Sequence, residues 1–249
     1  MALCAGVALV GGVAPLAATA PVDAAFVRLV VTAIDVDEAG KQLTVYTVAA
    51  RFDGPKDAVI MAYQLGSAKP ENFKGFWHRD LATAPNDEAE PVLTQDVGTW
   101  NPTLLGPIKT NRPFDSYLTI GGEANQRNTT IADPSWAKAD GGTRGWSRPD
   151  LPATGKTGWY VAARGPDSSG HVGNSKNYEI NGKPTLENPV TDVRLAQLVL
   201  SRGHAPREFT LTVSWNDGTE GKPQACSTEI FTLGGAMKPA PAGANGAKP

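Results

Sequence analysis

The sequence predicts an all-β protein, an antiparallel β-sandwich of jelly-roll-like or immunoglobulin-like type with long polar loops. Three observations indicate this fold class. Large apolar and hydroxyl residues alternate from Phe209 to Trp215, which is the period of a half-buried strand. The chain contains 27 Gly and 20 Pro, which favour turns and interrupt helices. No stretch keeps apolar residues at helical spacing for more than two turns.

Each predicted strand is bounded by turn residues. Segments 26–36 and 42–52 predict a hairpin, and Gly40 between them suits the left-handed position of a short loop. Segments 193–200 and 209–215 predict a second antiparallel hairpin, because the residues between them include Gly and Pro. Shorter strands are predicted at 57–65, 117–120 and 159–163.

Composition divides the chain into three parts. Residues 1–24 have an apolar stretch followed by Val22-Asp23-Ala24, which matches a signal peptidase site and predicts export to the periplasm, cell surface or medium. The alternative is an ordinary N-terminal strand, since no Lys or Arg precedes Arg28. Residues 25–233 are expected to form one domain. Residues 234–249 are rich in Pro, Ala and Gly and predict a disordered tail, either a linker or a truncated anchor.

Charge and cysteine content exclude several classes of function. A formal net charge of −2 argues against a general affinity for nucleic acid, which needs a basic surface. The apolar N-terminal run is too short and too rich in Gly to span a bilayer, so the mature protein is expected to lack a membrane span. Removal of the leader would leave Cys226 alone, which excludes an internal disulfide.

Four short segments occur in an order that resembles a known group of proteins. They read FDSYLTIG (114–121), GWY (158–160), VRLAQL (193–198) and LTVSW (211–215). This order is similar to secreted β-rich proteins common in planctomycetes and other environmental bacteria. The early segment LTVYTVAARF (43–52) resembles the opening strand of that group. The resemblance implies an exported β-rich domain of unassigned function, although this chain has neither an apolar anchor nor a dockerin-like repeat at its end.

Loop tryptophans are the first candidate ligand-binding residues. Flat aromatic faces stack on the C–H groups of sugar rings, so a group of exposed tryptophans can form a carbohydrate platform. The alternative is that these side chains cap the open ends of the sandwich. The candidates lie in the two long polar stretches of the sequence: Trp77, Trp100, Trp136 and Trp146.

Calcium is the one metal that the sequence indicates. Acidic residues in turns of exported β proteins often bind Ca²⁺ through several oxygens. Asp35 and Asp37 form one candidate site and Asp217 another, and ordinary turn or surface charge is the alternative for both.

The sequence contains no recognisable catalytic centre. No Gly-x-Ser-x-Gly motif occurs, and His78, His171 and His204 lie in polar stretches that predict solvated loop histidines. Asp115 adjoins a strand rather than a turn, and its carboxylate is expected to bond backbone amides there. The favoured interpretation is therefore a non-enzymatic exported domain with a structural or binding role. A carbohydrate-binding module and an exported hydrolase are the alternatives.

Overall fold

The structure, a computed structural model, describes residues 26–86, 89–100, 112–122, 130–132, 150–152, 158–161, 168–216 and 225–235. The described strands are antiparallel throughout, and the described residues contain short 3₁₀ helices but no α-helix, which confirms the all-β class. The strands are β1 Phe26–Glu38, β2 Lys41–Phe52, β3 Ala58–Gly66, β4 Tyr117–Leu118, β5 Thr130–Ala132, β6 Gly158–Val161, β7 Glu179–Ile180, β8 Lys183–Pro184, β9 Asp192–Ser201, β10 Arg207–Asn216 and β11 Ala225–Leu233. The 3₁₀ helices are Pro70–Phe73, Leu81–Thr83 and Arg112–Phe114.

One sheet has the order β1-β2-β9-β4 and is called sheet A here. Its first two strands form the predicted hairpin, in which Glu38 pairs with Lys41 and the register continues to Phe26 and Phe52. The turn residues Ala39 and Gly40 have φ values of 48° and 73°. Two successive residues with positive φ match the twist of paired strands, so the hairpin is confirmed together with its turn.

The second sheet, sheet B, has the order β11-β10-β3-β6-β5. The predicted hairpin of 193–200 with 209–215 is wrong, because β9 pairs with β2 and β4 while β10 pairs with β3 and β11. The connection between β9 and β10 crosses from one sheet to the other. Such a crossing lets both strands present apolar side chains to the same core from opposite sides.

The main core lies between the two sheets. Sheet A contributes Val48 and Phe52, and sheet B contributes Leu211 and Phe231 to a single cluster of buried apolar side chains. Trp159 of β6 is also enclosed, and its indole N–H donates to the Thr119 carbonyl at 2.8 Å. Two facing sheets around one apolar layer form the predicted sandwich.

Sheet A is buried on its outer face as well. Val45 and Val199 belong to a second apolar cluster, which side chains from the long connections cover: Trp77, Leu93, Phe114 and Tyr178. Residues 43–50 of β2 are consequently buried without interruption. A strand buried on both faces needs mostly apolar side chains, and the run from Leu43 to Ala50 is largely apolar, with the Thr44 hydroxyl bonded to Asp35.

β10 departs from the strict alternation that predicted it. Its odd positions face the core as expected, but Thr212 and Ser214 are also buried. The Thr212 hydroxyl lies 2.8 Å from both Gln64 Oε1 and Thr228 Oγ1, which belong to the strands on either side. The predicted water-facing side of this strand is therefore partly covered by its neighbours.

The shorter predicted strands exist with shifted ends, at Ala58–Gly66, Tyr117–Leu118 and Gly158–Val161. β11 has no counterpart among the predicted strands, although it pairs with β10 over its whole length. The long polar connections carry β5, β7, β8 and the 3₁₀ helices.

No helix among the described residues is long and apolar enough to cross a membrane. The predicted leader and most of the predicted tail lie outside the described residues.

A fork of two hydrogen bonds ties β2 to the start of β9. Arg51 donates from Nε to Asp192 Oδ1 at 2.7 Å and from Nη2 to Asp192 Oδ2 at 2.8 Å. Asp192 is fully buried and also accepts from the Asn188 amide. The same guanidinium reaches the half-exposed Glu187 at 2.8 Å. The buried carboxylate thereby gains the counter-charge that its burial requires.

We expect Asp192→Asn to lower the free energy of unfolding by about 3 kcal/mol, because it leaves the Arg51 guanidinium without its bidentate partner in a largely buried position. Urea unfolding followed by tryptophan fluorescence measures this change. The matched control is Glu187→Gln, which removes the exposed partner of the same arginine and should cost less than about 1 kcal/mol. Equal effects of the two variants would contradict this interpretation.

Candidate functional site

Three titratable side chains come together beneath the loops that cover sheet A. His78, Asp80 and Asp115 are each 0% exposed, and one nitrogen or oxygen atom from each lies within 4.8 Å of the others. His78 Nδ1 lies 3.5 Å from Asp115 Oδ1 and 4.0 Å from Asp80 Oδ2. We call these three residues the His78 cluster. Nothing in the polar surroundings of His78 predicts its burial, and the prediction of a solvated loop histidine is wrong at this position.

Backbone pairing brings the segments of the cluster together. Trp77 donates its amide to the Val199 carbonyl, and His78 forms a two-way bridge with Thr94. Ser116 joins both segments to β9, because its hydroxyl donates to the Trp77 carbonyl and accepts from the Val199 amide. The cluster therefore rests on the end of sheet A where β4 pairs with β9.

The Asp80 carboxylate is oriented by the loop around it. Oδ1 accepts from the amides of Ala82 at 2.7 Å and Thr83 at 3.2 Å, as an aspartate does at the start of a helical turn. Oδ2 accepts from the Thr99 amide at 2.7 Å. These three amides hold the carboxylate in one orientation, with Oδ2 towards His78.

The His78 ring is enclosed by close contacts. The edge of Trp100 packs against it with ring centroids 4.6 Å apart and an interplanar angle of 89°. A Cβ built on Gly98 would lie 2.0 Å from His78 Cγ, so only a glycine lets the backbone approach the ring this closely. Neither ring nitrogen has a hydrogen-bond partner of ordinary geometry among the described residues.

The structure confirms part of the role predicted for Asp115. Its Oδ1 accepts from the Arg79 amide at 3.4 Å, so the carboxylate does bond a backbone amide beside a strand. Its Oδ2 is buried without a hydrogen-bond partner among the described residues. The Arg79 guanidinium does not neutralise it, because that group pairs with Glu38. Asp115 Oδ2 is thus a buried carboxylate oxygen with neither a hydrogen bond nor an ion pair among the described residues.

Burial dominates the electrostatics of the cluster. It lowers the pKa of His78 to about 4, against the opposing influence of the Asp80 carboxylate and the Ser116 backbone. Burial, reinforced by the Asp115 charge, raises the pKa of Asp80 to about 7. Burial also raises the pKa of Asp115 well above its usual range. Chemically, the cluster can hold either a shared proton or a cation between the two carboxylates and the neutral ring.

A second buried polar group lies nearby on the same face of sheet A. Arg194 donates to the Tyr117 hydroxyl at 3.0 Å and to Thr185 Oγ1 at 2.6 Å, and its guanidinium lies 4.6 Å from the centroid of the Tyr178 ring. Tyr178 donates to Gln197 Oε1. No sequence motif marks this group, because Arg194 and Gln197 simply interrupt an otherwise apolar run.

The two described tryptophan candidates, Trp77 and Trp100, differ in burial. Trp100 is 0% exposed and packs against Phe76 and His78, so it offers no face to a ligand. Trp77 is half-buried, its indole N–H donates to Ser201 Oγ, and Lys41 Nζ lies 5.7 Å from its ring centroid. Trp136 and Trp146 lie outside the described residues.

The predicted calcium residues on β1 face an arginine. Arg202 Nε lies 3.4 Å from Asp35 Oδ2, and Arg202 Nη2 lies 3.1 Å from Asp37 Oδ1. Asp35 also accepts from the Thr44 hydroxyl at 2.6 Å. A cation at this position would share the two carboxylates with the guanidinium. Asp217, the other candidate, lies outside the described residues.

Comparison with known proteins shows one remote relative. The chain is 27% identical over 178 residues to an uncharacterized protein in the cooM 5′ region of Rhodospirillum rubrum. The aligned part is 69% of this chain and 35% of that protein, so the chain spans about a third of its relative's length. No protein-family model matches the chain, and no solved structure matches it.

We expect Gly98→Ala to lower the free energy of unfolding by about 3 kcal/mol, because the new methyl overlaps the base of the His78 ring, which is too enclosed to move away. Chemical unfolding followed by tryptophan fluorescence measures the loss. Gly203→Ala is the control, since its Cβ meets nothing within 4 Å. That variant should cost only about 1 kcal/mol for its left-handed backbone. The steric interpretation fails if Gly98→Ala costs no more than the control.

Proposed function

We propose that the protein is an exported, non-enzymatic β-sandwich domain with a structural or binding role at or outside the cell surface. The observation that carries this proposal is the complete enclosure of the His78 cluster. In the described part of the chain, acid and base side chains converge in this cluster, and all three of its members are 0% exposed. A catalytic centre must admit its substrate, whereas enclosed polar residues serve the stability and shape of the fold.

The other described histidines also have structural surroundings. His204 contacts the Tyr46 hydroxyl through Nε2 at 2.8 Å and the Ala205 carbonyl through Nδ1 at 2.7 Å. His171 lies in a tight turn, where its Nδ1 is 2.9 Å from the Val172 carbonyl. In the described part of the chain, neither ring is hydrogen-bonded to a serine, threonine or cysteine that it could activate as a base. These contacts support a binding or structural role over hydrolysis.

Export is supported by the first 24 residues of the sequence and by the resemblance to secreted β-rich proteins. An apolar stretch that ends in Val22-Asp23-Ala24 suits recognition by a signal peptidase. The first described strand, β1, starts at Phe26, which follows the predicted cleavage point after Ala24. Cleavage after Ala24 would make Ala25 the first residue of the mature chain and would remove none of the described residues.

Export is tested by expressing the full chain in a bacterial host and sequencing the N-terminus of the protein outside the cytoplasm. We expect a mature chain that begins at Ala25. A variant with Ala24→Leu blocks the small side-chain pocket of a signal peptidase and should accumulate unprocessed. Protein that is recovered outside the cytoplasm still beginning at Met1, or that stays inside the cell, would contradict the proposal.

The non-enzymatic role is tested with glycan, ester and peptide substrates. We expect any trace hydrolysis by purified protein to be unchanged in Asp115→Asn, because the enclosed carboxylate would take no part in it. A hydrolase that uses paired carboxylates would instead lose most of its activity when one of them is replaced. Circular dichroism on the same samples shows whether the variant is folded. A substantial loss of activity in the folded variant would favour the hydrolase alternative.

The carbohydrate-binding alternative now depends on tryptophans other than Trp100. If it holds, polysaccharide should change the tryptophan fluorescence of the protein, and Trp146→Ala should abolish the change. Trp100→Phe is the control, because Trp100 is 0% exposed and offers no face to a ligand. Unchanged fluorescence across a broad panel of polysaccharides would rule out this alternative.

A further inference from the structure

The His78 cluster places two carboxylates in the protein interior without a cationic side chain beside them. Asp80 and Asp115 are both 0% exposed, and among the described residues their one basic neighbour within ion-pair distance is His78. Buried carboxylates are normally paired with a cation or bound to a metal, since an uncompensated charge is costly in the interior. The two carboxylates of the cluster therefore have no cationic side chain that compensates their negative charge.

The hydrogen bonding of the cluster is incomplete in the same place. His78 Nδ1, His78 Nε2 and Asp115 Oδ2 are all buried, and none of them makes a hydrogen bond of ordinary geometry with a described residue. Native proteins rarely leave such groups unsatisfied, and each instance requires an explanation. His78 Nδ1 is directed at the carboxylates, 3.5 Å from Asp115 Oδ1 and 4.0 Å from Asp80 Oδ2. These are distances for a shared ligand rather than for direct hydrogen bonds.

We propose that His78, Asp80 and Asp115 bind a divalent transition metal ion, with Zn²⁺ as the best match. One imidazole nitrogen and two carboxylates form a mixed nitrogen and oxygen donor set, which suits zinc better than the all-oxygen set that calcium prefers. Neighbouring ligands of a tetrahedral zinc with bonds of 2.0–2.2 Å lie about 3.4 Å apart. His78 Nδ1 lies 3.5 Å and 4.0 Å from the two carboxylates, and all three ligand atoms lie within 4.8 Å of one another, so binding an ion requires the three side chains to draw together.

The residues around the cluster act as the supporting shell of a metal site. Amides of Ala82, Thr83 and Thr99 orient the Asp80 carboxylate, and the Arg79 amide orients Asp115. Such outer contacts hold metal ligands in position and strengthen binding. Gly98 and Trp100 fix the ring of His78. Asp115 Oδ2 provides a fourth donor atom if this carboxylate binds with both oxygens.

The proposed role of the ion is structural. It would link the loop at 78–80 to residue 115 across the outer face of sheet A, where both are anchored to β9 through Ser116. A bound ion stabilises the folded chain by an amount that rises with the logarithm of its affinity, because the unfolded chain has no preformed site. This inference stands apart from the proposed binding or structural function, and either can fail without the other.

The first experiment uses the wild-type protein purified from zinc-containing medium without a polyhistidine tag. Elemental analysis by plasma mass spectrometry should find about one zinc ion per chain. X-ray absorption at the zinc edge should show oxygen ligands and a single imidazole, with no sulfur. Chelation should lower the melting temperature, and added Zn²⁺ should restore it. This test needs no variant, so it does not depend on whether a substituted chain folds.

The second experiment assigns the ligands. We expect Asp115→Asn and His78→Gln to weaken zinc binding roughly 100-fold or more and to abolish the effect of chelation on melting. Asp192→Asn is the matched control, because it removes another fully buried aspartate that pairs with Arg51 instead. It should lower the melting temperature while zinc remains bound. A double Asp35→Asn, Asp37→Asn variant tests the exposed acidic pair and should also keep its zinc.

Two results would overturn the proposal. One is a folded wild-type protein that contains no metal and melts at the same temperature with chelator, Zn²⁺ or Mn²⁺, which would identify the cluster as a shared-proton site. The other is a bound ion whose absorption spectrum lacks imidazole, or whose affinity is unchanged in Asp115→Asn, which would place the metal elsewhere.

Discussion

The burial of sheet A on both faces is the constraint on which the rest of this structure depends. β2 and β9 face the main core on one side and a second apolar cluster on the other. Helices usually cover such a sheet, but here the cover consists of irregular connections. Buried backbone polar groups in those connections need partners, and in the described residues short bridges, 3₁₀ turns and side chains such as Ser116 and Asp80 supply several of them. The His78 cluster is a product of that arrangement.

The cover explains why acid and base residues in this protein are enclosed rather than displayed. His78, Asp80 and Asp115 lie between the loops and the sheet, and Arg194 with Tyr117 occupies a second polar position on the same face. Groups placed there can specify how a loop seats on the sheet, because a displaced loop would leave them without partners. Stability and loop conformation are the properties that such an arrangement controls.

The sequence was most informative where one physical requirement determined the residues. Strict alternation predicted the inner face of β10, and Gly40 with its neighbours predicted the β1–β2 hairpin. The pairing of β9 with β10 was predicted wrongly, because proximity along the chain favours a hairpin and apolar patterning does not show which sheet a strand joins. β11 escaped prediction because polar Ser227 and Glu229 occupy core-facing positions while apolar Ile230 lies on the exposed face, which dilutes the apolar alternation.

The site was harder to predict than the strands for a related reason. The neighbours of His78 in sequence include Arg79 and Asp80, which indicate a solvated loop, whereas the burial comes from segments some 20 and 37 residues further along the chain. Two local signals were present. Asp80 lies three residues before Thr83, the spacing of a capped turn, and Asp115 lies two residues before the strand that begins at Tyr117. Neither signal shows that the two carboxylates meet.

The division between a strand-built sandwich and a loop-built cover has a consequence for how the molecule opens. The sheets are held by continuous ladders, whereas the cover is joined to β9 by isolated contacts such as that of Trp77 with Val199. Segments with few backbone bonds open at lower free energy than the ladders beneath them. Amide hydrogens at 77–99 should thus exchange with solvent through excursions that leave the sandwich folded, and the outer face of sheet A would be transiently bared without global unfolding.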